Sequence, residues 1–368
     1  KQNILSAEGN VEIKDNNRSY YILTEKIIYK KNEEIIFTKN GSEANNLDNK
    51  IKITADEFEY NLPLNVIFAK KNVILEDKLE NVIIYSDKIS YSKNSEEITT
   101  KGKTSAKVHS KYNFKGEDVI FLKNSMVLIS DKESVITDKL NFYKLDRFKY
   151  SINNEELKGE NILISSNYNL PNNDKFYFSS AILSLKTNDF IAKDTKIKIH
   201  KNIFNNPDND PRIKGISSKK EGQITTINKG IFTSCKETDD CPPWSIQAEE
   251  IKHDQNKKQM NYKNALLKVY DIPVLYFPKF FHPDPTVERQ SGLLKPTLNN
   301  SNILGSSITM PYFKAISDDK DFTFSPTIFD SKTLSFQNEY RQKSKNSYLI
   351  TDFGFVKDYT SPILKKEK

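Results

Sequence analysis

The residues of this chain that could bind a metal or act in catalysis are two cysteines and two histidines. Each of the two histidines stands close to an aspartate in the sequence. Cys235 and Cys241 lie six positions apart, and the nearest histidine is His253. A structural zinc site needs four ligands, so this set is one ligand short and we expect no metal site. The alternative is a disulfide that involves Cys235 and Cys241, which implies an oxidising compartment.

The histidines form no catalytic arrangement in the sequence. His253 precedes Asp254, and one proline separates His282 from Asp284, but no nucleophile or third ligand accompanies either pair. The prolines beside Asp284 fix φ and remove donors, so we expect a rigid turn there. A carbohydrate-cleaving β-solenoid needs carboxylates that flank a groove, whereas the acidic residues here are scattered through turns. We therefore predict no enzyme activity, no catalytic residue and no cofactor.

Composition excludes two further classes of protein. The 368 residues include 56 Lys and Arg and 49 Asp and Glu, with a net charge of +7. The two signs are interspersed, as on a solvated surface, so we expect no nucleic-acid partner. No run of 18 apolar residues occurs, which excludes a spanning helix but not a β-barrel, whose strands alternate in polarity. The chain begins at Lys1 without Met or a signal peptide, so we expect a removed signal peptide or a trimmed start.

Short strands are predicted from Lys1 to about Asn228. Apolar pairs such as Val73/Leu75 and Ile89/Tyr91 lie two positions apart between clusters of turn residues. This spacing is typical of strands with one buried face, and helical periodicity is absent. The predicted fold class is all-β.

The first half also repeats itself at a fixed period. Residues 24–29 (TEKIIY) recur as 55–60 (ADEFEY) and 86–91 (SDKISY), so that an acidic residue advances in equal steps from Glu25 to Asp56 to Asp87. A fixed period of this kind indicates stacked units that bury their apolar faces against one another. The stack is either a closed solenoid or an open trough, and its apolar stripe is either a dry core or a ligand groove. The stripe consists of Ile27, Tyr29, Phe58, Tyr60, Ile89 and Tyr91.

These repeats resemble the domain shared by periplasmic lipopolysaccharide-transport proteins, the organic-solvent-tolerance (OstA-like) domain. The phrases that carry the resemblance are Thr54-Ala55-Asp56 followed by Tyr60, and Ala69 followed by Asn72-Val73. The resemblance implies an open, V-shaped β-jellyroll whose apolar interior carries the acyl chains of lipid A. It thus implies that the six residues of the stripe form a lipid groove, in which each buried CH₂ group contributes about 0.8 kcal/mol.

Residues 230–342 resemble the outer-membrane lipopolysaccharide-assembly family. The phrases that carry this resemblance are 230–235 (GIFTSC), 271–278 (DIPVLYFP), 281–286 (FHPDPT), 289–296 (RQSGLLKP) and 310–313 (MPYF). The resemblance implies that Cys235 joins the jellyroll to the far end of a barrel, through a partner beyond the chain as given. A local bridge between Cys235 and Cys241 is the rival pairing.

Beyond about Leu293 the pattern changes to alternating segments of about ten residues. Such segments are typical of tilted transmembrane hairpins, although a soluble sandwich gives the same pattern. Pro296 and Pro311 fall on the first and second of these strands, where each removes a ladder hydrogen bond. The resemblance implies that these prolines form a lateral gate for lipid, and the alternative is two ordinary edge prolines.

These predictions divide the chain into three parts: an open β-jellyroll (1–228), a junction with the cysteines and a Pro-rich turn (229–292), and the first transmembrane strands of an incomplete barrel (293–368). So few strands cannot close, and we expect the chain to be a fragment. The resemblance implies transport of lipopolysaccharide into the outer leaflet of the outer membrane, with the first domain in the periplasm. The implied partners are lipopolysaccharide, an outer-membrane lipoprotein plug, a periplasmic bridge protein and the outer membrane. The alternative is a soluble periplasmic carrier.

Overall fold

The protein is almost entirely β-structure. The computed structural model describes residues 3–14, 20–46, 50–200, 210–237, 242–284, 287, 289–302, 304–330 and 332–358. These residues form strands joined by short turns, together with one 3-10 helix, Lys123–Ser125. The all-β prediction is confirmed. Within the described ranges, no helix has the length and apolar character needed to cross a bilayer.

The chain divides into two compact units. The first contains Lys1–Gly222 and Ile227–Ser245, and the second contains Gln223–Thr226 and Ile246–Lys368. The predicted boundaries at 228 and 292 describe a different and finer division, and they stay predictions.

The first unit is built from consecutive antiparallel strands. They are β1 (Ile4–Lys14), β2 (Tyr20–Lys30), β3 (Ile35–Asn46), β4 (Ile51–Ala55), β5 (Glu57–Asn61), β6 (Val66–Asp77), β7 (Val82–Ser92), β8 (Glu97–Val108), β9 (Tyr112–Glu117), β10 (Ile120–Leu122), β11 (Val127–Ser130), β12 (Ser134–Thr137), β13 (Asn141–Leu145), β14 (Arg147–Ser151), β15 (Glu156–Ser166), β16 (Lys175–Ser184), β17 (Phe190–Lys198), β18 (Arg212–Glu221) and most of β19 (Ile224–Thr233).

Long strands in this unit are interrupted near the middle. In β2, residues 20–24 pair with 42–46 and residues 26–30 pair with 35–39, with a register shift between Thr24 and Lys26. Between β4 and β5 the interruption falls at Asp56. We name the half-strands that continue the 20–24 ladder the first leaf, those that continue the 26–30 ladder the second leaf, and the line of interruptions the corner. The first leaf includes 42–46, 51–55, 73–77, 82–86, 104–108, 112–116 and 141–145, and the second includes 35–39, 57–61, 66–70, 88–92, 97–101, 120–122 and 156–160.

Alternate side chains of both leaves point into one apolar interior. Along β7, Val82, Ile84 and Tyr91 are buried, whereas Tyr85 is 37% exposed. The buried side chains of the two leaves belong to one continuous cluster that extends through the first unit. Neither leaf can cover its own apolar face, so burial of the stripe requires both leaves. The predicted stack around a single apolar interior is therefore confirmed.

Acidic residues join neighbouring strands on the outside of the corner. Asp56 accepts a hydrogen bond from Asn72 Nδ2 (2.9 Å), and Asp118 accepts one from the backbone N–H of Gly102 (3.0 Å). Asn72 has a φ of 50°, a conformation that asparagine adopts more readily than most residues. Asp118 lies as far beyond Asp87 as Asp87 lies beyond Asp56. Two members of this series of acidic residues therefore occupy equivalent places on the corner.

Hydroxyl groups line parts of the inside of the corner. The Oγ of Ser42 lies 2.7 Å from the Oγ1 of Thr38. Thr38 also accepts a hydrogen bond from the backbone N–H of Phe58 (3.0 Å), as Thr100 does from that of Val119 (2.8 Å). These hydroxyls satisfy buried N–H groups where the strand ladder is interrupted. Successive layers along the corner consist of Thr24, Thr38 and Ser42, of Ala55, Ala69 and Val73, and of Ser86, Thr100 and Thr104.

The second unit contains two sets of antiparallel strands. Its strands are most of β20 (Trp244–Asp254), then β21 (Gln259–Val269), β22 (Ile272–Pro283), β23 (Gly292–Leu293), β24 (Thr297–Ser301), β25 (Gly305–Thr309), β26 (Tyr312–Ser317), β27 (Lys320–Phe329), β28 (Leu334–Lys343) and β29 (Tyr348–Lys357). β21 pairs with β22. In the later sheet β23 pairs with β26, β24 with β25, and both β25 and β26 with β27, while β28 lies between β27 and β29.

We predict that Leu75→Ala lowers the free energy of unfolding of the first unit by about 2–5 kcal/mol, because Leu75 is fully buried and its removal leaves a cavity. The matched control is Leu79→Ala on the turn that follows β6, where the side chain is 69% exposed and the expected loss is below about 0.5 kcal/mol. Urea unfolding of both variants measures the difference. Equal losses would contradict the assignment of Leu75 to the interior.

Candidate functional site

The six residues of the predicted stripe lie together on the second leaf. Phe58, Tyr60, Ile89 and Tyr91 are buried in the interior, and the partly buried Ile27 and Tyr29 pack against them. Phe58 and Ile89 are each only 2% exposed. In this conformation the stripe is packed against the protein's own side chains. Its function as a lipid groove stays a prediction.

The interior has a side opposite the corner, which we name the mouth, where the outer ends of the two leaves meet. Tyr20 at the end of the first leaf lies with its hydroxyl 2.7 Å from the hydroxyl of Tyr91 at the end of the second, and their rings are edge-on. Tyr91 donates a hydrogen bond to Glu96 (2.8 Å). The ammonium of Lys93 lies over the rings of Tyr20 and Tyr60, at 4.6 and 5.2 Å.

The proton arrangement in this contact follows from its electrostatics. Burial, together with the hydrogen bonds to Tyr20 and Glu96, raises the pKa of Tyr91 far above its ordinary value, so this phenol stays protonated. Its single proton points to the carboxylate of Glu96. Tyr20 must therefore be the donor in the bond between the two hydroxyls.

A second contact of the same kind closes the mouth further along the stack. Tyr112 ends the first leaf, and its hydroxyl donates to Glu155 (2.6 Å) and lies 2.9 Å from the carbonyl oxygen of Leu185, both at the end of the second leaf. Lys111 pairs with Glu155 and lies over the ring of Tyr112 at 4.6 Å. Neither contact can be found from the sequence, because residues 71 and 43 positions apart become neighbours only after the leaves have formed.

Residues 235–237, which we name the cysteine loop, are held by polar and ionic contacts. Cys235 is half-buried, and the guanidinium of Arg212 donates to its carbonyl oxygen. Glu237 pairs with Lys196 (3.0 Å) and Lys198, and these hydrogen bonds lower the pKa of Glu237 to about 2. Cys241 lies outside the described residues. The predicted disulfide, in either pairing, therefore stays a prediction.

The histidines of the second unit form structural contacts. The imidazole of His253 pairs with Asp284, and Tyr262 stacks on Phe280 with ring centroids 4.6 Å apart. Burial lowers the pKa of His282, so this ring is neutral. Its Nδ1 faces the carbonyl oxygen of Pro283 and carries the proton, and its Nε2 accepts from Tyr262 (2.8 Å). Pro285 of the predicted rigid turn lies outside the described residues.

The two prolines of the predicted gate stand at breaks in the strands. Pro296 lies between β23 and β24, and Pro311 lies between β25 and β26. On one side of the breaks Leu293 pairs with Tyr312, and on the other side Thr297 pairs with Thr309. The register of the two strands therefore shifts by one residue across the breaks. Proline has no N–H to donate, so the ladder is interrupted on both strands at the same level. The gating role of these prolines stays a prediction.

A buried ionic contact attaches the segment before β23 to the sheet. Asp321 is 6% exposed, and its carboxylate binds Arg289 (2.5 Å) and Arg341 (2.8 Å). Arg289 is the first residue of the phrase 289–296. The sequence gives no indication of its partner, which lies 32 positions further on.

The fold and the site define the class of this protein. It is an all-β protein with a stack of strands that bend at a corner and enclose an apolar interior. Later in the chain, a separate sheet of long hairpins is interrupted by prolines.

Comparison with curated proteins identifies similar chains. The chain is 30% identical over 178 residues to the LPS-assembly protein LptD of Hahella chejuensis, and 36% identical over 134 residues to that of Pseudoalteromonas translucida. The LptD of a Polaromonas species is 30% identical over 144 residues. The resemblance to LPS-assembly protein LptD is therefore confirmed. No family model matches the chain.

The similarity covers part of each protein. It extends over 48% of this chain for the Hahella protein and 36% for each of the other two. The matched segments make up 21%, 18% and 17% of these relatives, so the chain spans about a fifth of their length in the matched region.

We predict that Glu237→Gln loosens the cysteine loop, because it removes the charge that attracts Lys196 and Lys198. The folded-state pKa of about 2 lies below the ordinary 4.5, so the contact stabilises the loop fully above pH 4.5 and is lost as the pH falls towards 2. Hydrogen exchange of the Glu237 amide, which donates to Asp210 (3.2 Å), should be faster in the variant at pH 7, after correction for intrinsic rates. The difference from the unmodified chain should shrink at pH 2, and a constant difference would contradict the ionic origin.

Proposed function

We propose that this chain is part of a protein that moves lipopolysaccharide to the cell surface and inserts it into the outer leaflet of the outer membrane. The observation that carries the proposal is the apolar interior enclosed by two leaves, in a chain similar to LptD proteins whose name states LPS assembly. The first unit lies in the periplasm and the later hairpins belong to the outer-membrane part.

The chemistry of the cargo explains the need for such an interior. An acyl chain crosses water only if it is sheltered, and each CH₂ group that stays out of water contributes about 0.8 kcal/mol. The stripe on the second leaf supplies apolar and aromatic surface along successive repeats, so an acyl chain can move from one repeat to the next without a change in its surroundings. No covalent bond is made or broken.

A periplasmic bridge protein would meet the first unit at β1. This strand is exposed over most of its length, with Leu5 64% exposed, and it pairs with β2 along one edge. A strand added to its other edge would continue both leaves and extend the interior, since the backbone of an edge strand offers donors and acceptors to an incoming strand. An outer-membrane lipoprotein plug is the partner that we propose for the barrel.

The proline breaks support sideways release of lipid through the wall of the barrel. We name the line at the level of Pro296 and Pro311, where the strands would part, the seam. Pro296 and Pro311 leave the first two strands short of ladder hydrogen bonds at one level, so separation of the strands there costs less free energy. A lipid delivered to this level would pass sideways into the membrane.

We predict that a photo-reactive benzoylphenylalanine at Ile89, in the full chain in cells, gives an adduct with lipopolysaccharide, because Ile89 faces the interior. The matched control is the same probe at Tyr85, which lies on the same strand but is 37% exposed on the opposite face. Immunoblots with an antibody to lipopolysaccharide measure the adduct. Equal yields at the two positions, or no adduct at Ile89, would refute the groove.

We predict that Pro296→Ala and Pro311→Ala together slow surface delivery of lipopolysaccharide. Each change restores one N–H donor, and a hydrogen bond of about 1 kcal/mol per site would reduce the open fraction of the seam about fivefold per bond. Pulse labelling of surface lipopolysaccharide measures the rate. The control is Pro63→Ala, since Pro63 stands in the turn between β5 and β6 of the first unit. An unchanged rate of surface delivery in the double variant would refute the gating role of the two prolines and would favour a soluble periplasmic carrier.

A further inference from the structure

The interior cannot admit a lipid in the conformation described above. Phe58, Ile89 and Tyr91 are each about 2% exposed, and both leaves contribute side chains to the same continuous cluster. Protein interiors are close-packed, so an acyl chain can enter only where the protein's own side chains withdraw. For the proposed cargo to reach the stripe, the two leaves must therefore part.

The two sides of the unit differ in how firmly the leaves are joined. At the corner the same chain runs from one leaf into the other, and the backbone N–H groups there are bound by Thr38 and Thr100. At the mouth the joining contacts described above are between side chains or between a side chain and a carbonyl oxygen, as in Tyr20 with Tyr91 and Tyr112 with Leu185. The leaves thus separate most easily at the mouth and turn about the corner.

We propose that the tyrosine contacts Tyr20–Tyr91 and Tyr112–Glu155 are latches that hold the mouth closed, and that their opening admits the acyl chains of an anionic lipid. This inference rests on the proposed function and adds the route by which the cargo reaches the interior. Each latch consists of a phenol on the first leaf and an acceptor on the second. The acceptor is the hydroxyl of Tyr91 in one latch and, in the other, the carboxylate of Glu155, which also pairs with Lys111 at the rim.

The surroundings of the latches suit an anionic head group. Lys93 lies over the ring of Tyr20, and Lys111 lies over the ring of Tyr112. When a latch opens, its lysine stays at the rim of the mouth, while the apolar stripe lies further in. A lipid with phosphate groups and several acyl chains would meet the cation with its head and the stripe with its chains.

The test uses Tyr20→Phe in the full chain, because phenylalanine keeps the ring and removes the hydroxyl that donates to Tyr91. Loss of one neutral hydrogen bond should raise the population of the open mouth about fivefold. Two readouts follow that population: hydroxyl-radical labelling of the interior side chains Ile89 and Tyr91, without any lipid, and the yield of photo-adduct between purified lipid A and the probe at Ile89. Both should rise in Tyr20→Phe and, at the second latch, radical labelling of the fully buried Leu157 should rise in Tyr112→Phe.

Tyr85→Phe is the control, since it removes a phenol hydroxyl from the outer face of the same unit and should change neither readout. Unchanged radical labelling and unchanged adduct in both latch variants would overturn the latches and leave the proposed function standing. A lower adduct yield with unchanged radical labelling would also overturn them, because the hydroxyls would then bind lipid directly. An absence of adduct in the unmodified chain and in every variant would overturn the proposed function, and the latches with it.

Discussion

The interruption in the middle of each long strand is the constraint on which the first unit depends. A strand that bends loses backbone hydrogen bonds at the bend, and buried N–H groups must find other acceptors. Buried threonine hydroxyls accept the N–H groups of Phe58 and Val119 inside the corner, and Asp56 and Asp118 join neighbouring strands outside it. Once the bend is satisfied in this way, the chain passes from one leaf into the other in each layer, and the apolar faces of both leaves meet.

This arrangement makes the two sides of the unit unequal. The corner is joined by backbone and by buried polar contacts, whereas the contacts described at the mouth are made by side chains, one of them to a carbonyl oxygen. A closed interior made of the protein's own residues also avoids a water-filled apolar groove, which would be unfavourable. The unit therefore combines a stable resting conformation with a weak side, and the second unit shows the same principle where Pro296 and Pro311 interrupt two neighbouring strands.

Features that depend on local pattern could be predicted from the sequence. Alternation at two-residue spacing and the advance from Glu25 to Asp56 to Asp87 are sufficient to indicate stacked strands, because both are set by the geometry of a strand and its turn. The stripe from Ile27 to Tyr91 follows from the same alternation. The structural role of the recurring acidic residue could not be predicted from the sequence, because its hydrogen-bond partner lies on the neighbouring strand at the bend.

Features that depend on contacts between distant parts of the chain could not be predicted. Tyr20 and Tyr91 meet because they end opposite leaves, and Asp321 binds Arg289 and Arg341 because three separate segments converge. In each case the residues have ordinary types at uninformative spacing. The prolines are an intermediate case, because the loss of a donor follows from residue type, whereas the one-residue change in register at the break does not.

The equal spacing of the corner positions has a consequence for how such a protein can change in length. A layer of Thr24, Thr38 and Ser42 is followed one repeat later by Ala55, Ala69 and Val73, and then by Ser86, Thr100 and Thr104. Each repeat supplies the same three buried positions, whether or not their side chains carry a hydroxyl. Duplication of one whole repeat would keep every corner position and the inward face of every strand, whereas an insertion of one residue within a strand would turn the apolar side chains to the outer face. The evolutionary step for lengthening this part of the stack is therefore one whole repeat.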